Sequence, residues 1–158
     1  MMLTTSGEFA APCDQVFAII GDTEFQTSIA DTPGSSAAVA TRGDRTVVTS
    51  HRVLPTDDLP DFVRTFVGSH LKLTEVQDWG PAAADGSRSG VLTLTIDDVP
   101  IRLDGTLSLS PAGSGSVQSV TGELRARIPL VGGKVEQSAA PALKAGIELE
   151  FAAIRQRL

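Results

Sequence analysis

Hydrophobic positions along the chain change their spacing several times, and each change marks an element. Residues 3–10 are polar with scattered apolar side chains, as in a half-buried strand. Residues 11–20 then carry Val16, Phe17 and Ile20 at the three- and four-residue spacing of one helical face. Pro12 suits the first helical position, where its missing N–H would go unbonded anyway, and Asp14 complements the helix dipole. Gly21-Asp22 stops that helix, residues 24–30 predict a second short one, and Pro33-Gly34-Ser35-Ser36 reads as a turn.

From Ala37 the period is two. Residues 37–41 and 46–54 flank Arg42-Gly43-Asp44-Arg45, the pattern of a hairpin. Leu59, Phe62, Val63, Phe66 and Val67 return to helical spacing between Pro60 and Gly68, predicting a short amphipathic helix across the opening of the sheet. Four further strands follow. They are marked by Leu71, Leu73 and Trp79; by Leu92, Leu94 and Ile96; by Ile101, Leu103, Leu107 and Leu109; and by Val120, Leu124 and Ile128. Such alternation means one covered face and one wet face.

Residues 131–158 change period once more. Val135, Ala139, Leu143, Ile147, Phe151, Ile154 and Leu158 draw an apolar stripe along one long helix. Pro141 falls inside it and predicts a kink or a break into two helices. The order is α+β: a strand, two short helices, a hairpin, a short helix, four strands and a long C-terminal helix. No linker or internal repeat interrupts it, so residues 1–158 are expected to form one domain, with about seven strands in a curved antiparallel sheet.

Composition narrows the function classes. The net charge of −6 and the scattered placement of the 13 Lys and Arg residues disfavour a nucleic-acid or anionic-membrane partner. Cys13 is the only cysteine, which excludes an intrachain disulfide and points to the cytoplasm. No apolar run approaches the length of an integral membrane segment, and the N-terminus lacks the pattern of a signal peptide. His51 and His70 lie in different strands without ligand spacing, so neither a metal nor a cofactor is expected. The Leu130-Val131-Gly132-Gly133-Lys134 stretch lacks the spacing of a phosphate-binding loop.

Three stretches resemble a known family. Leu59-Pro60-Asp61-Phe62-Val63-Arg64-Thr65-Phe66-Val67-Gly68, Asp78-Trp79-Gly80-Pro81-Ala82 and Ile128-Pro129-Leu130-Val131-Gly132-Gly133-Lys134-Val135-Glu136 are similar to the bacterial domain-of-unknown-function family 2505. That family is part of the START-like (SRPBCC, helix-grip) superfamily. The resemblance implies a sheet wrapped around the C-terminal helix with an apolar cavity between them, and assigns no activity and no catalytic residue.

The residues suggest what could occupy such a space. With six Phe, one Trp and no Tyr, the chain has few bulky groups to fill a concave sheet. Small residues near Pro141, namely Ala139, Ala142 and Gly146, leave further room. The plainer reading is that Phe62, Phe66 and Phe151 plug the space. Glu75 and Gln77 share the phase of Leu71, Leu73 and Trp79, so both point inward, where a carboxylate must be paired, hydrogen-bonded or protonated. A counter-group would be Arg52 or His51; only one can face inward, because Val47 and Val53 compete with Val48 and Leu54 for that phase. A merely structural ion pair is the simpler alternative. Trp79 could stack at the pocket mouth or serve as a core anchor. Cys13, in the first turn of a helix, could be a reactive thiol, but it has no His or Cys partner nearby in sequence.

The expectation is therefore a binder of a small hydrophobic molecule, lipid-like or polyketide-like, acting as monomer or homodimer. Its contacts would come from Arg52, Phe62, Phe66, Glu75, Gln77, Trp79, Leu143, Ile147 and Phe151, with the helix over residues 59–68 as a lid. One rival is an enzyme of the cyclase or aromatase kind, in which Glu75 and Arg52 transfer protons. Another is a protein-interaction module, although the polar outward phase of Thr93, Thr95, Arg102, Asp104, Ser108 and Ser110 counts against it.

Overall fold

Side-chain alternation decides which face of each strand is covered. In β1 (Met2–Phe9), Leu3, Thr5 and Phe9 are buried and their neighbours exposed. The computed structural model describes residues 1–158. Two helices follow, α1 (Cys13–Ile20) and α2 (Thr23–Ile29), and then the hairpin β2 (Ser36–Arg42) and β3 (Arg45–Pro55). Next come α3 (Asp61–Val67), β4 (His70–Trp79), β5 (Arg88–Ile96), β6 (Val99–Ala112), β7 (Gly115–Ala126) and α4 (Gly132–Arg157). The strands form a seven-stranded sheet in the order β1-β7-β6-β5-β4-β3-β2, every neighbouring pair antiparallel. This is an α+β helix-grip fold. None of its helices is long and apolar enough to cross a membrane.

The helices at one end are set by local chemistry. Pro12 proves to be the cap residue of α1 rather than its first helical residue, and its carbonyl accepts from the backbone N–H groups of Gln15 and Val16. The Asp22 side chain caps α2 by accepting from the Phe25 N–H. Val16, Ile20 and Phe25 are essentially inaccessible to solvent. At the other end α3 stops at Gly68, whose φ of 77° is a conformation that glycine adopts without a steric penalty. The Thr56 hydroxyl donates to the Gly68 carbonyl at 2.6 Å and ties the two ends of this connection together.

α4 has 26 residues and stays a single helix through Pro141, so of the kink or break expected there, the break into two helices does not occur. The proline is exposed, as is Gln137 one turn before it, whose carbonyl loses its usual partner and can be hydrated instead. On the other side of the helix, burial of Val135, Ala140, Ile147, Phe151 and Ile154 clamps both halves to the sheet. The helix leans chiefly on β1 and β7. Gly7 makes that approach possible, because a Cβ there would lie 2.6 Å from Cδ2 of Phe151.

Candidate functional site

The inner space has two unlike ends. Under α1, Trp79 is fully buried, with its ring edge-on to Phe17 at 5.7 Å between centroids. Phe151 meets Phe9 in the same manner at 6.1 Å. Toward β3, β4 and β5 the helix presents Ala142, Leu143, Gly146 and Ile147 instead, and a cavity of about 100 Å³ remains between helix and sheet. Leu54, Leu71, Leu73 and Leu94 form its apolar wall, while Ser50, Arg52, Glu75 and Glu150 form a polar end.

Strand register builds this polar end. Ser50 pairs with Glu75 across β3 and β4, and Glu75 with Leu94 across β4 and β5, so the three stand in one row on the inner face. Arg52 lies two residues further along β3 and also faces inward. His51 points outward, with Nδ1 3.1 Å from the Thr74 hydroxyl. Val48 and Leu54 thus hold the inner phase with Arg52, which resolves the ambiguity of that strand.

A buried hydrogen-bond chain orders the carboxylates. Trp79 Nε1 donates to Gln77 Oε1 at 3.0 Å, which fixes the amide so that its nitrogen faces the two glutamates. Gln77 Nε2 donates to Glu75 Oε1 at 2.8 Å and reaches the Glu150 oxygens at 3.3 and 3.4 Å. Gln26 of α2, itself anchored on the Ile20 carbonyl at 2.8 Å, also supports the Glu150 carboxylate. Burial, and then the neighbouring Glu75 charge, push the Glu150 carboxyl up to about 7, against the opposing pull of Arg52 and the amide donors. The Nε of Arg52 is buried without a hydrogen-bond partner. A second groove of about 320 Å³ opens between the end of α2, β3 and α4, and shares Arg52, Leu54 and Glu150 with the cavity.

The residues singled out from the sequence separate accordingly. Arg52, Glu75, Leu143 and Ile147 are brought together on the cavity wall. Gln77 lies one step behind them as the positioning group. Trp79, read as a possible mouth residue, is instead a core anchor, since nothing of it reaches solvent. Phe151 packs over β1 beside Gly7, and neither it nor Phe62 nor Phe66 lines the cavity. Phe62 is partly buried, with the Lys134 ammonium 4.5 Å from its ring centre, while Phe66 is exposed. Cys13 is buried, and burial together with Asp85 raises its thiol pKa, which favours the protonated thiol over the thiolate.

Glu150 is the residue that the apolar stripe concealed. It follows Ile147 by three and precedes Ile154 by four, the spacing of the buried face, and a charged residue in that register was a readable signal. An open depression of about 830 Å³ lies elsewhere, on the outer face beside the β5–β6 turn. Its Arg102 pairs with Asp104 at 2.7 Å and its Arg125 with Glu123 at 2.9 Å; such exposed, mutually satisfied pairs leave little for a ligand to gain.

Comparison with known proteins agrees with this architecture. The family model described as "Protein of unknown function (DUF2505)" matches residues 4–158. Uncharacterized proteins of Mycobacterium bovis and Mycobacterium tuberculosis are 29% identical over 92 residues, which is 57% of this chain and 52% of theirs. The chain thus spans about half the length of the curated relatives it matches. A Thermus thermophilus protein is similar in structure, with a TM-score of 0.65 at 16% identity, covering 99% of this chain and 96% of that one. So are a STAR-related lipid transfer protein of Xanthomonas axonopodis (0.60, 14% identity, 98% and 83% covered) and the Zhui aromatase/cyclase of a Streptomyces species (0.54, 17%, 99% and 89%). At these identities the likeness concerns the fold, whereas the family match runs nearly the whole length: the chain belongs to the DUF2505 family, with a START-like helix-grip fold.

Proposed function

We propose that this protein holds a small, mostly apolar molecule in the cavity between α4 and strands β3 to β5. The observation that carries this reading is the pairing of a leucine-lined wall with one ordered polar end, the usual anatomy of a small-molecule site. The names of two structural neighbours, a lipid transfer protein and an aromatase/cyclase, support it at the level of fold. Size constrains the occupant: a dry cavity of about 150 Å³ accepts benzene. The space of about 100 Å³ suits a short chain, and a longer molecule would extend past Arg52 into the adjoining groove. Arg52, Glu75, Leu143 and Ile147 make the contacts in this reading, and the α3 connection acts as the lid. One copy of the chain suffices, and the free Cys13 supports a cytoplasmic setting.

Native mass spectrometry of the purified protein, beside organic extraction, tests the proposal. A stoichiometric apolar passenger supports it. An unoccupied protein that also takes up no added apolar probe would sink it.

The paired carboxylates favour a second reading, proton transfer on a bound substrate. Glu150, with its pKa near 7, would serve as the acid and Glu75 as the base. A Glu150→Gln variant that binds the extracted passenger normally but no longer converts it would establish this role; conversion at an undiminished rate would exclude it.

A further inference from the structure

The geometry points to a hydroxyl group as the feature selected at the polar end: an alcohol or phenol whose oxygen accepts from Arg52 Nε and whose proton is donated to the Glu75–Glu150 pair. This rests on the cavity being the ligand site and names the class of ligand it takes.

Arg52 Nε is a buried donor with no acceptor in the protein. The ion pairs in the molecule are made by other residues, so no carboxylate satisfies its guanidinium directly. An unmet buried donor is costly, and a ligand oxygen placed there removes that cost. Close by are acceptors with capacity to spare. Glu75 accepts from Gln77 through Oε1, while its other oxygen receives no hydrogen bond from the protein. Gln77 cannot turn to offer its own oxygen, because Trp79 holds it.

Beside the Ser50 hydroxyl the site therefore presents an unmet guanidinium donor and a carboxylate acceptor across a small space, and a ligand hydroxyl satisfies both at once. Other head groups fare worse. A carboxylate ligand would meet two glutamates against a single guanidinium; an ammonium could donate to Glu75 but would leave the Arg52 donor unmet and face its charge. An ether or ketone serves Arg52 alone, and a hydrocarbon serves neither partner.

A titration of the full chain with four probes of matched length tests this: 1-hexanol, 1-methoxypentane, n-heptane and hexanoate. Binding is followed by amide NMR shifts of the cavity residues and of the Trp79 indole N–H, which reports on the chain through Gln77. Hexanol is expected to bind roughly 10- to 100-fold more tightly than the ether or the hydrocarbon, the range set by one or two buried hydrogen bonds. Arg52→Met is expected to bring hexanol down to the level of the ether while heptane binding persists. Equal affinity for heptane and hexanol would overturn the inference and leave the apolar cavity standing. Tightest binding of hexanoate would make the polar end an anion site, also against it. If no probe shifts the cavity residues, the ligand reading itself fails. Should Arg52→Met not fold, the wild-type series decides alone.

Discussion

The two ends of the space between sheet and α4 are built from the same sheet and the same helix, yet one is filled and the other hollow. At the filled end Phe9, Phe17, Trp79 and Phe151 interlock edge to face, and Gly7 gives up its side chain so that Phe151 can sit against β1. At the hollow end the helix carries Ala142 and Gly146, and the opposite strands supply leucines that do not reach across. Aromatic area thus anchors the helix at one end, and the same anchoring holds it off the sheet at the other. Stability and binding are divided between the two ends. A chain of side chains, Trp79 to Gln77 to Glu75 and Glu150, joins them.

Truncation separates the ends most sharply. Trp79→Ala should cost about 3–5 kcal/mol in urea unfolding, through the void and the loss of the Gln77 partner. Leu143→Ala, which only widens an existing space, should cost about 1–2 kcal/mol; equal costs would erase the distinction.

The pH dependence comes next in size. The folded Glu150 carboxyl binds its proton up to about 7, whereas in the unfolded chain it releases it near the ordinary 4.5. Between those values the folded state holds more protons, so stability falls as pH rises and levels off above the folded pKa. The groups facing Glu150 are Glu75 and Arg52, with neutral Gln77 and Gln26. Glu150→Gln removes the ionisation and should stabilise the protein at pH 8 by on the order of 3 kcal/mol. The gain should shrink toward pH 5, as paired denaturant melts at the two pH values would show.

Two glycines give smaller, opposite effects. Gly7→Ala places a Cβ against the Phe151 ring and should destabilise by about 1–3 kcal/mol in thermal melts. Gly146→Ala meets nothing within 4 Å and improves helix propensity, so it should stabilise by up to about 1 kcal/mol. It also narrows the cavity and should weaken binding of the extracted passenger. Undiminished binding by that variant would move the ligand away from this part of α4.

Periodicity alone carried the element order, the inward phase of Glu75 and Gln77, and the buried stripe of α4. These follow from the 2.0 and 3.6 spacings of local backbone geometry, which a chain displays before it folds. The inner phase of Arg52 was undecidable locally, because valines and a leucine occupy both phases of β3; pairing with β4 settled it. The aromatics misled in one respect: residues of equal hydrophobicity can plug a cavity, line it, or stand apart, and Trp79, Phe151 and Phe62 were sorted by packing distances that no spacing encodes. The meeting of Glu75 with Glu150, 75 residues apart in the chain, likewise belongs to tertiary structure, since only the crossing of α4 over β4 brings the two carboxyl groups to one amide, that of Gln77.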